Sequence, residues 1–315
     1  MANERINNVN SVFEQPWWLD VVAGNKWKEV IIQNKNGDVI GRLPYIEKKM
    51  YSLNICTVPI LTQQIGPWIR FEKNMKPVAK LKRIKNILEE IILRLNKYKN
   101  IDLYFHREIT YILPFIWAGY NVEARYSYVI EDLSNIELVQ SNMDTKVRNI
   151  IKNAYKNLSV VENLDVDTLI KMVESTFDKQ HRKLPMGKDC IRKIYQESMK
   201  YNAGKALGAV DKSGKVVAAA FLLYDHNTCY YLMGGKDYGA GIQGSQELLL
   251  WEGIKFASLH SKEFDFEGSM IPGIESFFRG FGGKPCIYFR VYRGNFLFQF
   301  LNGIKPYVKK LLGYK

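Results

Sequence analysis

The chain is poor in cysteine, long apolar runs, biased segments and metal-ligand spacings. Its four cysteines, Cys56, Cys190, Cys229 and Cys286, are scattered through 315 residues. With no close pair, they support neither a disulfide framework nor a zinc site. No apolar run reaches the roughly 20 residues of a membrane-spanning helix. The start, Met1-Ala2-Asn3-Glu4-Arg5-Ile6, lacks the basic-then-apolar plan of a signal peptide. The expected compartment is therefore a reducing cytoplasm. No Ser-His-Asp order and no metal-ligand spacing stands out, so no metal is expected.

Acidic residues are the other shortage. Thirty-two acidic side chains face 45 basic ones, a net charge of +13. The excess concentrates at Lys76 to Lys99, at Lys146 to Lys156 and in a tail with Lys305, Lys309, Lys310 and Lys315. Each cluster alone solubilises a helix face. Together they favour a polyanionic partner: the phosphates of a cofactor, a sugar-nucleotide, a lipid pyrophosphate or tRNA. The apolar fraction, 47%, is ample for real cores, and the length suits about two domains.

An internal repeat supports two domains. Ile101-Asp102-Leu103 matches Phe264-Asp265-Phe266, and Trp117-Ala118-Gly119-Tyr120 matches Phe278-Arg279-Gly280-Phe281. The order of expected elements repeats around these matches. Each half runs strand, strand, strand, long helix, strand, short helix, strand. In the first half the long helix is Pro77 to Leu95, with Val78, Leu81, Ile84, Leu88, Ile91 and Leu95 at helical spacing. In the second, Lys215 to Tyr224 reads as a strand buried on both faces, and Gln246 to Leu259 as the long helix. Asp167 is the expected N-cap of the helix through Phe177. The polar stretch Leu133 to Asn142 is the expected boundary, giving domains 1–140 and 141–315. The fold class expected is α/β with mixed sheets.

This order, with Asp265-Phe266-Glu267-Gly268-Ser269, Gly273-Ile274 and Phe278-Arg279-Gly280-Phe281-Gly282, resembles the GNAT acyltransferase superfamily. Thr176-Phe177, His181-Arg182, Pro185 and Leu61-Thr62-Gln63 before Gly66-Pro67-Trp68 fit the same plan. Two tandem GNAT-like domains, the first degenerate, resemble the Fem-type transferases. Those attach amino acids from aminoacyl-tRNA to peptidoglycan precursors. Related two-domain bacterial acyltransferases are held to use acyl-CoA. One departure is that the chain has no room for the helical hairpin often found in tRNA-using Fem enzymes.

The resemblance implies a donor site where a glycine loop enters the long helix, because helix N-termini bind phosphate. Lys236, Gly239, Gly241, Gly244 and Ser245 are the candidate acyl-CoA residues, only a loose version of the superfamily's signature. A flexible turn with no ligand is the plainer alternative. Acyl transfer to an amine needs a base and a proton donor for the leaving group. Glu267 is the candidate base, with a solvated helix cap as its alternative. Tyr288 is the candidate acid, with a core tyrosine as the plainer reading. Asp265 would serve structure, orienting Arg279 or a backbone turn. Arg182, Arg279 and Lys284 are candidate substrate-binding residues, the last two for phosphate or carboxylate.

Three functions follow from the resemblance. The first is an acetyl-CoA-dependent N-acyltransferase acting on an amino sugar or a cell-envelope precursor. The second is an aminoacyl-tRNA-dependent, Fem-like ligase. The third is a non-catalytic binding protein. A C-terminal helix over Asn295 to Leu312, with Phe296, Phe300, Ile304, Val308 and Leu311 on one stripe, is expected to pack across the domains. Its lysines leave peripheral contact with an anionic membrane as the alternative.

Overall fold

The computed structural model describes residues 6–50, 53–268 and 270–300. In chain order these form α1 (Pro16–Ala23), β1 (Trp27–Gln33), β2 (Val39–Met50), β3 (Leu53–Thr57), β4 (Trp68–Ile69), α2 (Pro77–Leu95), β5 (Asn100–Tyr104), α3 (Leu113–Trp117) and β6 (Asn121–Ile130). There follow α4 (Ile136–Ser141), α5 (Thr145–Ala154), β7 (Leu158–Glu162), α6 (Val166–Lys179), α7 (Lys188–Lys200), β8 (Gly204–Asp211), β9 (Val216–Tyr224) and β10 (Thr228–Lys236). The last are α8 (Ser245–His260), β11 (Glu263–Asp265), α9 (Pro272–Arg279) and β12 (Lys284–Arg293). This is the mixed α/β class expected.

Contacts divide the chain into two compact units, but not at residue 140. One holds residues 1–125 with 287–315; the other holds 126–286. The expected boundary falls inside the second unit, where Leu133 and Val139 are core residues and α4 is capped by Asn135. The reason is an exchange of final strands. Most of β12 pairs with β5 in the first unit, and the end of β6 pairs with β11 in the second. Neither final strand stays with the sequence half that precedes it.

In the first unit the strand order is β1-β2-β3-β5-β12, with β4 on β2. Helix α2 buries Leu88, Ile91 and Leu95 against this sheet's core, while the first members of its stripe, Val78 and Leu81, are exposed. Phe298, in the helical stretch 296–300, is buried with Leu53 and Ile55, while Phe296 and Phe300 are exposed. Residues 301–312 of the expected C-terminal helix lie outside the described residues, as does Ser269.

In the second unit the order is β6-β11-β10-β9-β8-β7. Strand β9 is covered on both faces, as its apolar run predicts: α6 and α8 both pack on it. Asp165, not Asp167, caps α6, because its carboxylate accepts the Thr168 N–H at 2.9 Å. Helix α6 lies so close on β10 that a side chain at Gly235 would meet the Met172 carbonyl at 2.0 Å. That contact fixes one wall of the region described next.

Candidate active site

The second unit opens where two parallel strands part. β10 and β11 pair through Thr228–Glu263, Cys229–Phe264 and Tyr230–Asp265 only. β10 then runs on to Lys236 beside β9, with its register shifting between Tyr231 and Met233. Such an irregularity bends a strand and re-aims its groups. The first turn of α8 reaches this stretch, as Gln246 Nε2 donates to the Gly235 carbonyl at 2.6 Å. Tyr231 and Phe278 of α9 meet edge-on with ring centroids 6.3 Å apart. Phe266 stacks on Phe278 at 5.1 Å, so the β11 end is packed by aromatics.

At that end the backbone turns sharply. Phe266 still donates its N–H to the Tyr128 carbonyl, but Glu267 and Gly268 have φ of +58° and +54°. Glycine adopts this region freely; for glutamate it is strained. A side chain at 268 would meet the Tyr126 carbonyl at 2.3 Å, so close strand contact forces the turn. Asp265 holds it from inside: its Oδ1 accepts the Glu267 N–H at 2.7 Å and also the Ser127 hydroxyl. Asp265 and Ser127 are both buried.

The turn carries the Glu267 side chain inward. Oε1 is buried and has no hydrogen-bond partner among the described residues. Burial pushes the Glu267 carboxyl well above the usual carboxylate range, and the nearby Asp265 charge adds to the rise. A strained carboxyl whose pKa is raised by desolvation is a candidate for proton transfer. The N-cap position of α9 is taken by Ile271.

The glycine loop lies at the α8 N-terminus. Gly241 and Gly244 have φ of +66° and +81°. Gly241 is exposed with open space at its Cβ position, whereas a side chain at Gly244 would press on Ile150 of α5 at 2.9 Å. Ser245 is buried at the first helical position. A cavity of about 680 Å³ adjoins the loop, lined by Gly241, Ile242 and Gln243, by Asn153 and Asn157 near the end of α5, and by Lys212 and Ser213 of the β8–β9 turn. Two loop members are already engaged. The Gly239 N–H donates to Asp237 Oδ1 at 2.8 Å, and the Lys236 ammonium sits 5.1 Å from the Tyr238 ring centroid. Asp237 is itself paired with Lys215 at 2.7 Å.

The remaining candidates are dispersed. Arg279 Nε donates to Glu275 at 3.0 Å, and that same oxygen accepts the Tyr128 hydroxyl. Lys284 pairs with Glu131 at 2.6 Å on the surface. Arg182 is exposed beyond α6, with its guanidinium 5.8 Å from the Phe177 ring centroid. Tyr288 is buried in the first unit, so it does not join Glu267 within the second. Sequence reasoning missed Ser127, while Asp265 holds a backbone turn, one of the structural roles expected of it. The available signal was a lone small hydroxyl in the apolar end of β6.

No group of three or more metal-ligating side chains occurs among the described residues. Cys56 and Cys229 are buried, and desolvation pushes both thiols up, which makes them poor nucleophiles.

The family model of the acetyltransferase (GNAT) domain matches residues 145–277. No curated protein matches the chain. Among solved structures, FemX shares the fold with a TM-score of 0.68 at 12% identity, over 92% of this chain and 97% of FemX. L-PGS from Bacillus licheniformis gives 0.54 at 12% identity, over 94% and 91%. A conserved protein of unknown function from Bacteroides thetaiotaomicron VPI-5482 gives 0.59 at 12% identity, over 94% of each chain. Residues 145–277 are therefore similar to the acetyltransferase (GNAT) domain, and the chain as a whole shares the fold of FemX.

Proposed function

We propose that the second unit transfers an acyl group to the amine of an amino sugar or cell-envelope precursor, with Glu267 as the general base. The carrying observation is the buried Oε1 of the half-buried Glu267, without a hydrogen-bond partner among the described residues, just past the point where β10 and β11 part. The amine attacks the acyl carbonyl, a C–N bond forms, and the bond to the carrier breaks. The ammonium proton goes to Glu267, and the departing thiolate or alkoxide takes a proton. Transfer from a thioester or activated ester is downhill, so holding the two partners together supplies much of the rate. The base adds about a hundredfold to ten-thousandfold.

The donor in this reading is acyl-CoA, with its phosphates at Gly241, Gly244 and the first turn of α8, and Lys236 contributing charge. The adjoining cavity supports that placement. Aminoacyl-tRNA is the second reading, favoured by a specific feature of the loop. Asp237 places a carboxylate on the Gly239 N–H, where a pyrophosphate would meet like charge. The lack of a helical hairpin does not separate this chain from FemX, 97% of which it covers.

Calorimetry with coenzyme A, beside gel-shift titration with aminoacyl-tRNA at fixed salt, decides between the donors. Saturable coenzyme A binding that Gly241→Leu removes supports the first. Binding of tRNA alone would transfer the assignment to the second, and binding of neither would remove both.

A further inference from the structure

The two units share a strand pairing that diverges at one place. In each, a short parallel pair ends on an aspartate: Thr57 opposite Asp102, and Tyr230 opposite Asp265. In each, the aspartate also faces an antiparallel neighbour, Tyr292 for Asp102 and Val129 for Asp265. The residue two positions before that neighbour then bonds the aspartate. In the first unit it is Arg290, which reaches both oxygens of Asp102 at 2.7 and 3.0 Å. In the second it is Ser127, whose hydroxyl donates to Asp265.

The next residues differ accordingly. In the first unit the ladder continues: Tyr104 lies opposite Arg290, and the Phe105 N–H donates to Phe289 at 2.8 Å. In the second, the ladder gives out after Phe266, and the counterpart of Tyr104 is Glu267, in the left-handed turn. The same framework thus holds an aspartate clamped by a guanidinium in one copy. In the other the aspartate grips the backbone of a half-buried glutamate.

We propose that Asp265 and Ser127 are positioning residues for Glu267: Asp265 fixes the turn through the Glu267 N–H and sets a second carboxylate beside the first, while Ser127 orients Asp265. This rests on the reading of Glu267 as the base. Two carboxylates in one site resist simultaneous ionisation, so the proton is held by Glu267, whose Oε1 has no partner among the described residues, rather than by Asp265, whose charge accepts two hydrogen bonds. The other ionisable groups on the elements packed around this turn are Glu123, Arg125, Tyr126 and Tyr128 of β6, Cys229, Tyr230, Tyr231 and Lys236 of β10, and Glu275 and Arg279 of α9.

The test is a carbon-13 NMR titration of the full chain, with carboxyl-labelled Asp and Glu, between about pH 3 and 9. The Glu267 signal is identified by its loss in Glu267→Gln. Asp265→Asn keeps an oxygen acceptor for both hydrogen bonds and removes the charge. It should move the Glu267 midpoint down, whereas Ser127→Ala should not. An unchanged midpoint in Asp265→Asn, or an equal fall in Ser127→Ala, overturns the proposal. If Asp265→Asn does not fold, the parent decides: the Glu267 curve should show a second inflection where Asp265 titrates, and a single smooth step overturns the coupling. Turnover tests the base reading separately. Equal rates for Glu267→Gln and the parent would remove the base, whatever the titration shows.

Discussion

Glu267 combines three costs at one residue: a left-handed backbone, a desolvated side chain and an unpartnered oxygen. Folds tolerate such costs where function needs them, and removing them should stabilise the protein. The carboxyl is raised in the folded state. Between the unfolded carboxylate value and the folded one, the native chain therefore holds a proton that the unfolded chain has lost. Native stability falls as pH rises through that window and is constant below it. Glu267→Gln lacks this dependence. Urea unfolding should find the variant gaining stability relative to the parent as pH rises to 8, because its amide carries no charge to desolvate. The gain should shrink as pH falls into the ordinary carboxylate range. A variant equally stable at both pH values, relative to the parent, would contradict the burial seen here.

At the scale of elements, the glycines around β10 and α8 serve two different purposes. Gly235 gives room for α6, and a methyl group there must displace the Met172 backbone. Gly235→Ala should therefore destabilise the second unit by about 1–3 kcal/mol through overpacking. Gly241 touches nothing at its Cβ position. Gly241→Leu should cost only the left-handed conformation, about 1–2 kcal/mol, and otherwise act on the donor. Thermal unfolding of the two variants side by side checks the contrast; equal losses would mean that the loop packs differently.

The order of elements was legible in the sequence, because hydrophobic period and turn residues are local. Helix α2 spans the residues its stripe predicts, and the end of β11 was found from its apolar run closing on Glu267. What escaped was long-range. Periodicity does not say which sheet a strand joins, so the exchange of β6 and β12 between units was invisible, and Tyr288 was assigned to the wrong one. Arg279 and Lys284 read as free anion binders because Glu275 is partnered through packing and Glu131 lies across the sequence. Ser127 gave no periodic signal, since one hydroxyl in a buried strand looks like a neutral filler.

For the molecule as a whole, the repeat has been put to two uses. The first unit satisfies its aspartate with Arg290, which also bonds Glu123 at 3.0 Å and lies over the Tyr292 ring. That arrangement is a packed ion pair with no open carboxylate. The second unit keeps the parting strands, the glycine loop and the unpaired glutamate, and it is the part matched by the GNAT family model. The net charge of +13 suits a phosphate-rich donor in either reading and does not choose between them. No helix among the described residues is long and apolar enough to cross a membrane.

The central claim is that Glu267 takes the proton, and turnover tests it most directly. Parent and Glu267→Gln would be assayed from pH 6 to 9 with acetyl-CoA and with aminoacyl-tRNA, over a panel of amino-sugar and envelope-precursor amines. With whichever donor supports transfer, Glu267→Gln should lose about a hundredfold to ten-thousandfold in kcat, keep its donor Kd and lose the acid limb of the parent's profile. Equal rates across that pH range would contradict the assignment and leave the amine to lose its proton to water or to the substrate's own phosphate.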